Sequence, residues 1–150
     1  MANGVASPAI RPRFRSGKRA TLKQALLVGL GGFLGSIGRY LLGGLVLQHS
    51  SGWRFPLSTF CVNVAGCFTL GALAGLAEKH VVLSFDARLF LFTGLLGGFT
   101  TFSAFSAEGI HLLRRGDFAI AAAYAVLSVV CGFAAVWIGM KLFSLDLRQQ

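Results

Sequence analysis

Four long apolar stretches, separated by short charged connections, constrain this chain more than any other feature of its sequence. They cover approximately residues 26–47, 55–77, 89–107 and 118–140. Each stretch matches the ~20 residues that a helix needs to cross the ~30 Å hydrocarbon layer of a bilayer. Only 13% of the residues are charged, against ~25% in an ordinary soluble domain. The sequence therefore predicts an all-α membrane protein with four transmembrane helices.

The remaining sequence divides the chain into three parts. We predict a basic, disordered N-terminal arm over residues 1–21, one transmembrane domain over residues 22–143 and a tail over residues 144–150. The arm has no acidic residue, and its cations are Arg11, Arg13, Arg15, Lys18 and Arg19. Such a segment suits the anionic headgroups of membrane lipid. Because the net charge of +9 comes from chain ends and connections, it does not indicate a nucleic-acid partner.

An interruption lies in the third stretch, where residues 97–105 read Gly-Gly-Phe-Thr-Thr-Phe-Ser-Ala-Phe. Paired glycines and threonines loosen the hydrogen-bond ladder of a helix. Carbonyls freed at membrane depth are tolerated only when they are buried in protein, face water or bind an ion, and channels and transporters place ion sites there. We predict a break in the third helix with an ion site. The simpler alternative is that these small residues pack helices and bond back to their own backbone.

Phenylalanines accompany this interruption. Phe99, Phe102 and Phe105 recur at i, i+3 and i+6, which predicts a single helical stripe. Such stripes usually contact lipid or a core, but a phenyl ring also has a positive edge. Ring edges bind an anion weakly, and weak binding at several sites is what conduction requires. The stripe is a candidate lining for an anion pathway.

Polar residues on two other helices have matching spacing. Thr59 and Asn63 lie at i and i+4 in the second stretch, as do Tyr124 and Ser128 in the fourth, so each pair shares a helix face. The Asn63 amide needs a partner in a dry environment, either another helix or a ligand. Two matched polar faces beside an interrupted helix predict a lined pathway.

Two charged residues lie close to span interiors. Arg39 either extends to the membrane interface or maintains a positive potential in an aqueous vestibule that attracts anions. Glu108 is a functional candidate because of its depth. It has either a proton-carrying role or a local ion pair with the nearby His111, Arg114 or Arg115.

Small residues recur at the GxxxG spacing in three of the stretches. This spacing lets helix backbones approach closely. In lipid, van der Waals packing drives the association of helices in place of the hydrophobic effect. We therefore expect tight helix pairs at Gly31 and Gly35, Gly71 and Gly75, and Gly94 and Gly98.

Three motifs occur in order on successive stretches. Residues 31–40 have the pattern GGxxGxxxRY, residues 59–68 the pattern TxxxNxxGxF, and residues 97–105 nearly the pattern GGFTTFSTF. Together they resemble the Fluc/CrcB family of small fluoride channels, and with the fourth stretch the resemblance covers residues 26–142. Ala104 stands where that signature has threonine, and Gly132 where a second serine would continue the polar face of the fourth helix.

The resemblance implies a dual-topology homodimer, in which two antiparallel subunits enclose two pores. It implies a structural sodium ion (Na+) at the dimer interface, held by the backbone carbonyls of Gly97 and Thr100. Phe102 and Phe105 match the rings whose edges line the pores, and Asn63 matches the amide that donates to fluoride. The other matches to the polar lining are Thr59, Glu108, Tyr124 and Ser128.

The function implied by the resemblance is a fluoride-selective channel that exports cytoplasmic fluoride by passive electrodiffusion. The expected location is the bacterial inner membrane, with several passes. An enzyme is not expected, because the sequence has no nucleophile–base pair and no phosphate-binding loop. A proton-coupled small multidrug antiporter is one alternative, although it needs an embedded carboxylate where the first span has Arg39. A non-conducting assembly subunit is another, which would leave the phenylalanines unexplained.

The distribution of lysines and arginines between the two sides of the membrane predicts the orientation in which the chain inserts. With four spans, ten of the 14 lysines and arginines lie on the side of the N-terminus and three on the other, with Arg39 within its span. The positive-inside rule favours a cytoplasmic N-terminus, whereas an antiparallel homodimer needs both orientations. We predict that the helical core inserts both ways and that the arm only biases the ratio.

Overall fold

The computed structural model describes residues 21–79 and 83–144, which form four helices long and apolar enough to cross a membrane. The first two are α1 (Leu22–Ser50) and α2 (Leu57–Lys79). The predicted all-helical fold with four spans is confirmed. Except for Thr21 and Ser144, the predicted arm and tail lie outside the described residues.

The third span, Phe85–Arg114, is assembled from several pieces. They are α3 (Phe85–Arg88), a π-helical segment (Leu89–Leu96), α4 (Gly97–Phe99) and α5 (Phe102–Arg114). Between the last two, Thr100 (φ −86°, ψ 156°) and Thr101 (φ −147°, ψ 114°) have extended backbones. The predicted break is confirmed only in part, because the pieces join into one bent span.

The fourth span is α6 (Phe118–Ser144). A short turn precedes it, in which Gly116 has φ +80°, a conformation that L side chains rarely adopt. Arg54, in the connection between α1 and α2, pairs with Asp117 at 3.1 Å. The connections before α2 and before α6 therefore lie together at one end of the bundle.

Glycine faces bring α1 against the third span. A Cβ atom added to Gly31 would lie 2.5 Å from the Phe90 carbonyl oxygen, and one added to Gly35 would overlap the Leu95 carbonyl. The backbones therefore touch directly, in the close approach that the GxxxG spacing predicts.

A second glycine contact joins α2 to α6. A Cβ atom at Gly71 would overlap the Val136 carbonyl, and one at Gly75 would lie 2.6 Å from the Met140 carbonyl oxygen. The four spans thus pack largely as two pairs, α1 with the first half of the third span and α2 with α6.

Large apolar side chains face outward over most of the molecule. Phe33, Phe133 and Trp137 are each more than 60% exposed, whereas the buried positions include Val62, Leu96, Leu112 and Tyr124. Such an exterior suits hydrocarbon, where an apolar surface has no solvation penalty.

Candidate anion pathway

A groove of about 450 Å³ opens where α2, the third span and α6 meet. Its lining includes Asn63 from α2, Thr100 and Phe102 from the third span, and Ser128 from α6. The polar faces predicted on α2 and α6 therefore converge on the interrupted third span. That the residues lining this groove bind fluoride stays a prediction.

The side chain of Asn63 holds the backbone of Thr101 at two points. Its Oδ1 accepts from the Thr101 N–H at 2.9 Å, and its Nδ2 donates to the Thr101 carbonyl at 3.2 Å. Thr101 is also the N-cap of α5, because its Oγ1 accepts from the Ala104 N–H. The extended backbone at this point is thus stabilised by α2 and by its own cap.

These contacts release two carbonyls of the third span. In a continuous helix the Thr101 N–H would donate to the Gly97 carbonyl, and the Ala104 N–H to the Thr100 carbonyl. Here the first donates to Asn63 and the second to the Thr101 hydroxyl. The predicted cation ligands, Gly97 and Thr100, are therefore among the residues whose helical donors are directed elsewhere.

The Gly98 carbonyl has a different partner. Arg39 Nε donates to it at 3.2 Å, and Ser36 Oγ lies at 3.5 Å. Arg39 is half-buried, and through this bond its guanidinium contacts the third span. Its position relative to the membrane interface stays a prediction. The sequence analysis missed this contact, although Arg39 lies one turn from Ser36 and so shares its face.

Glu108 joins three helices. Its Oε1 accepts from Thr59 of α2 and its Oε2 from Tyr124 of α6, each at 2.7 Å. Within the described residues Glu108 is in no salt bridge, so the alternative of an ion pair with His111, Arg114 or Arg115 is wrong. We call Thr59, Glu108 and Tyr124 the carboxylate cluster.

The aromatic residues depart from the predicted single stripe. Phe102 and Phe105 contact each other with ring centroids 5.6 Å apart, and Phe105 contacts Tyr124 at 4.9 Å. Phe99 instead packs between α1 and α2, within 3.4 Å of a Cβ built at Gly38 and 3.2 Å of one at Gly66. The two extended threonines reset the helical phase after Phe99, so it does not line the groove.

Two further aromatic contacts involve Phe55, which the sequence analysis did not identify as a site residue. Phe55 packs edge-on to Tyr124 with centroids 5.3 Å apart, and edge-on to Phe60 at 5.5 Å. The only sequence signal for Phe55 was its place at the start of the second apolar stretch. Its contact with Tyr124 closes the carboxylate cluster on the side of the α1–α2 connection.

Ser128 has an unusual environment. Its Oγ is buried and, among the buried side-chain polar atoms of the described chain, is the one without a hydrogen-bond partner. One turn further along α6, a Cβ at Gly132 would lie 3.6 Å from Cys67 Sγ of α2. The polar face of α6 therefore ends at Ser128, because beyond it the helix packs on α2.

Comparison with known proteins identifies relatives along most of the chain. Residues 26–140 match the family described as "CrcB-like protein, Camphor Resistance (CrcB)". A Methylobacillus flagellatus protein named fluoride-specific ion channel FluC is 54% identical over 125 residues, which cover 83% of this chain and 98% of the relative. Proteins of the same name from Chlorobium luteolum and Rhizobium leguminosarum bv. trifolii are each 47% identical. Those matches cover 77% and 79% of this chain and 88% and 94% of the relatives.

These matches confirm three predictions. The resemblance drawn from the three motifs is correct, and a family of ion channels is not one of enzymes. Four spanning helices and bacterial relatives make the chain a multi-pass integral protein of the bacterial inner membrane. The chain belongs to the CrcB-like family.

Proposed function

We propose that this chain forms a fluoride-specific channel, which exports cytoplasmic fluoride by passive electrodiffusion. The observation that carries the proposal is the groove, where the start of α5, two phenylalanine rings and the unpartnered Ser128 hydroxyl come together. The names of the relatives supply the identity of the ion.

Several groups at the groove favour an anion. The first turn of α5 begins at Phe102, and a helix N-terminus offers backbone N–H groups and a partial positive charge. Arg39 adds a full positive charge behind the third span, through its contact with Gly98. A small anion that gives up its water needs aligned donors of this kind, because an uncompensated charge is costly in a dry site.

Each predicted pathway residue has a role in this proposal. Asn63 donates one amide hydrogen to Thr101 and has a second for fluoride, since an amide carries two. Phe102 and Phe105 offer ring edges, which attract an anion without trapping it. Ser128 supplies a hydroxyl, and the carboxylate cluster continues the polar lining beyond Phe105.

The residues at the interruption also fit the proposed structural sodium ion. A hard cation prefers oxygen ligands, and the carbonyls of Gly97 and Thr100 have lost their helical donors to Asn63 and Thr101. Among the described residues, no group of three His, Cys, Asp or Glu could hold a metal, and the proposed ligands are backbone oxygens. When bound, the ion would supply a fixed positive charge near the groove.

Two carbonyls are fewer ligands than a sodium ion needs, so the proposed site requires a second copy of the chain, which we propose is antiparallel. A second copy related by two-fold symmetry would add its own pair, because such an interface brings identical residues together. Gly97 is exposed and Phe102 is 79% exposed. In the proposed dimer, both residues lie at sites that the partner subunit completes.

Ion efflux from proteoliposomes tests the function. We expect fluoride to leave vesicles containing the purified chain, down its gradient and without a proton gradient, while chloride stays. Proton-dependent efflux of lipophilic cations would favour the antiporter instead. A folded dimer that passes neither ion would favour the assembly subunit.

A further inference from the structure

We propose that Asn63 is a positioning residue for the cation site as well as a donor to fluoride. By accepting from Thr101 N–H, its side chain keeps that donor away from the Gly97 carbonyl. This inference rests on the proposed function, since it assigns Asn63 of the anion pathway a second role toward the structural cation.

Both hydrogen bonds together require a carboxamide, whereas the bond from the Thr101 N–H requires only an acceptor oxygen. One oxygen must accept from Thr101 N–H and one nitrogen must donate to Thr101 C=O, at 2.9 and 3.2 Å. Aspartate has the same shape and keeps the acceptor, but when ionised it has no donor. Serine is too short to reach both points, and leucine offers neither.

Without an acceptor on α2, the Thr101 N–H would be unpaired at membrane depth. An unpaired N–H in hydrocarbon is costly, so the backbone would restore a helical bond where geometry allows. The acceptor four residues back is the Gly97 carbonyl. The interruption would close, and one of the two carbonyls would no longer be free for a cation.

Arg39 of α1 acts on the carbonyl next to that of Gly97. Its Nε occupies the Gly98 carbonyl, which leaves the neighbouring Gly97 carbonyl as the one held open by Asn63. Side chains of α1 and α2 therefore act on two adjacent carbonyls, because Arg39 bonds the one at Gly98 and Asn63 leaves the one at Gly97 open.

Thermal unfolding of the purified full-length chain in detergent tests this role apart from ion flux. The melting temperature is measured against sodium chloride, with N-methylglucamine chloride maintaining the ionic strength, and fluoride efflux is measured on the same preparations. We expect saturable stabilisation by sodium in the wild type. Ser128→Ala is the matched control, because Ser128 lines the same groove without contacting Thr101, and its sodium response should be unchanged.

Two variants of Asn63 separate the roles. Asn63→Ser loses the acceptor for Thr101, so the half-saturating sodium concentration should rise by about tenfold or more, equivalent to ~1.4 kcal/mol. Asn63→Asp keeps that acceptor, so its sodium response should stay within about threefold of wild type while fluoride efflux falls.

The inference is overturned if the sodium response of Asn63→Ser matches wild type, or if the two variants lose it equally. It is also overturned if the wild type shows no sodium-specific stabilisation. If Asn63→Ser does not fold, the comparison of Asn63→Asp with wild type decides, since loss of its sodium response contradicts the acceptor role. A wild type that responds to sodium but passes no fluoride refutes the channel and leaves the role of Asn63 intact.

Discussion

Tyr124 of α6 donates to Glu108 of α5 at 2.7 Å, and both side chains lie where α5 packs against α6. The second oxygen of the same carboxylate accepts from Thr59. Because both hydroxyls donate to Glu108, the carboxylate orients them, and any anion that approaches must compete with it. Glu108 is therefore the centre of the contact between α2, α5 and α6.

The first prediction concerns this carboxylate cluster. Thr59→Val and Tyr124→Phe each leave one oxygen of Glu108 without a donor, and we expect each to lower the free energy of unfolding by about 1–3 kcal/mol. Because the two hydroxyls share one acceptor, the double variant should deviate from additivity by more than ~0.5 kcal/mol. Thermal or denaturant unfolding in detergent measures both effects. Additive losses would show that the two hydrogen bonds act independently.

The second prediction concerns the phenylalanine pair. Replacing Phe102 or Phe105 with isoleucine keeps the side chain apolar but removes the ring quadrupole, so fluoride efflux should fall by about tenfold or more while the proposed dimer survives. Phe133→Ile is the matched control, because Phe133 is 76% exposed on α6 and outside the groove. Efflux from proteoliposomes and size-exclusion chromatography measure the two properties. Equal efflux from all three variants would exclude a role for the rings.

The third prediction concerns helix packing. A methyl group at Gly35 would overlap the Leu95 carbonyl, whereas one at Gly29 of the same helix meets nothing within 4 Å. Overpacking against backbone costs about 1–3 kcal/mol or more, so Gly35→Ala should lower the melting temperature clearly. Gly29→Ala should leave it unchanged or raise it, since alanine favours helix. Similar melting temperatures for the two variants would show that α1 can shift away from the third span at little cost.

The sequence predicted those features that depend on local pattern. Hydropathy alone located the four spans, and glycine spacing indicated which faces of α1 and α2 touch another helix. Asn63 was identified because a buried amide must find partners, but its partner could be either a helix or a ligand. The structure gives it a helix partner, Thr101.

Features that depend on three-dimensional contact were not predictable in the same way. The phase change that separates Phe99 from Phe102 follows from two extended residues, and helical periodicity assumes that no such residue intervenes. The partners of Glu108 come from α2 and α6, while its neighbours in sequence suggested an ion pair. The contact of Arg39 with Gly98 joins residues 59 positions apart, so sequence spacing did not indicate it.

The last prediction concerns topology, where sequence and family favour different outcomes. The count of ten lysines and arginines against three favours one orientation, but five of the ten lie in residues 11–19. Without these five the count is five against three, which is nearly balanced. An antiparallel homodimer needs both orientations, so we predict that these five cations bias the insertion ratio without excluding either orientation.

Cysteine labelling from each side of the membrane tests this prediction, and the structure indicates where to put the label. Ser51 is exposed in the connection after α1, and the Arg54–Asp117 pair places that connection beside the turn before α6. Ser51→Cys changes no charge, so it does not disturb the balance under test, and Gly116 is avoided because of its positive φ. In a chain whose native cysteines are replaced by alanine, we expect a membrane-impermeant maleimide to label this position from both sides. Labelling from one side only, with fluoride efflux intact, would mean a parallel assembly or a partner chain of opposite orientation.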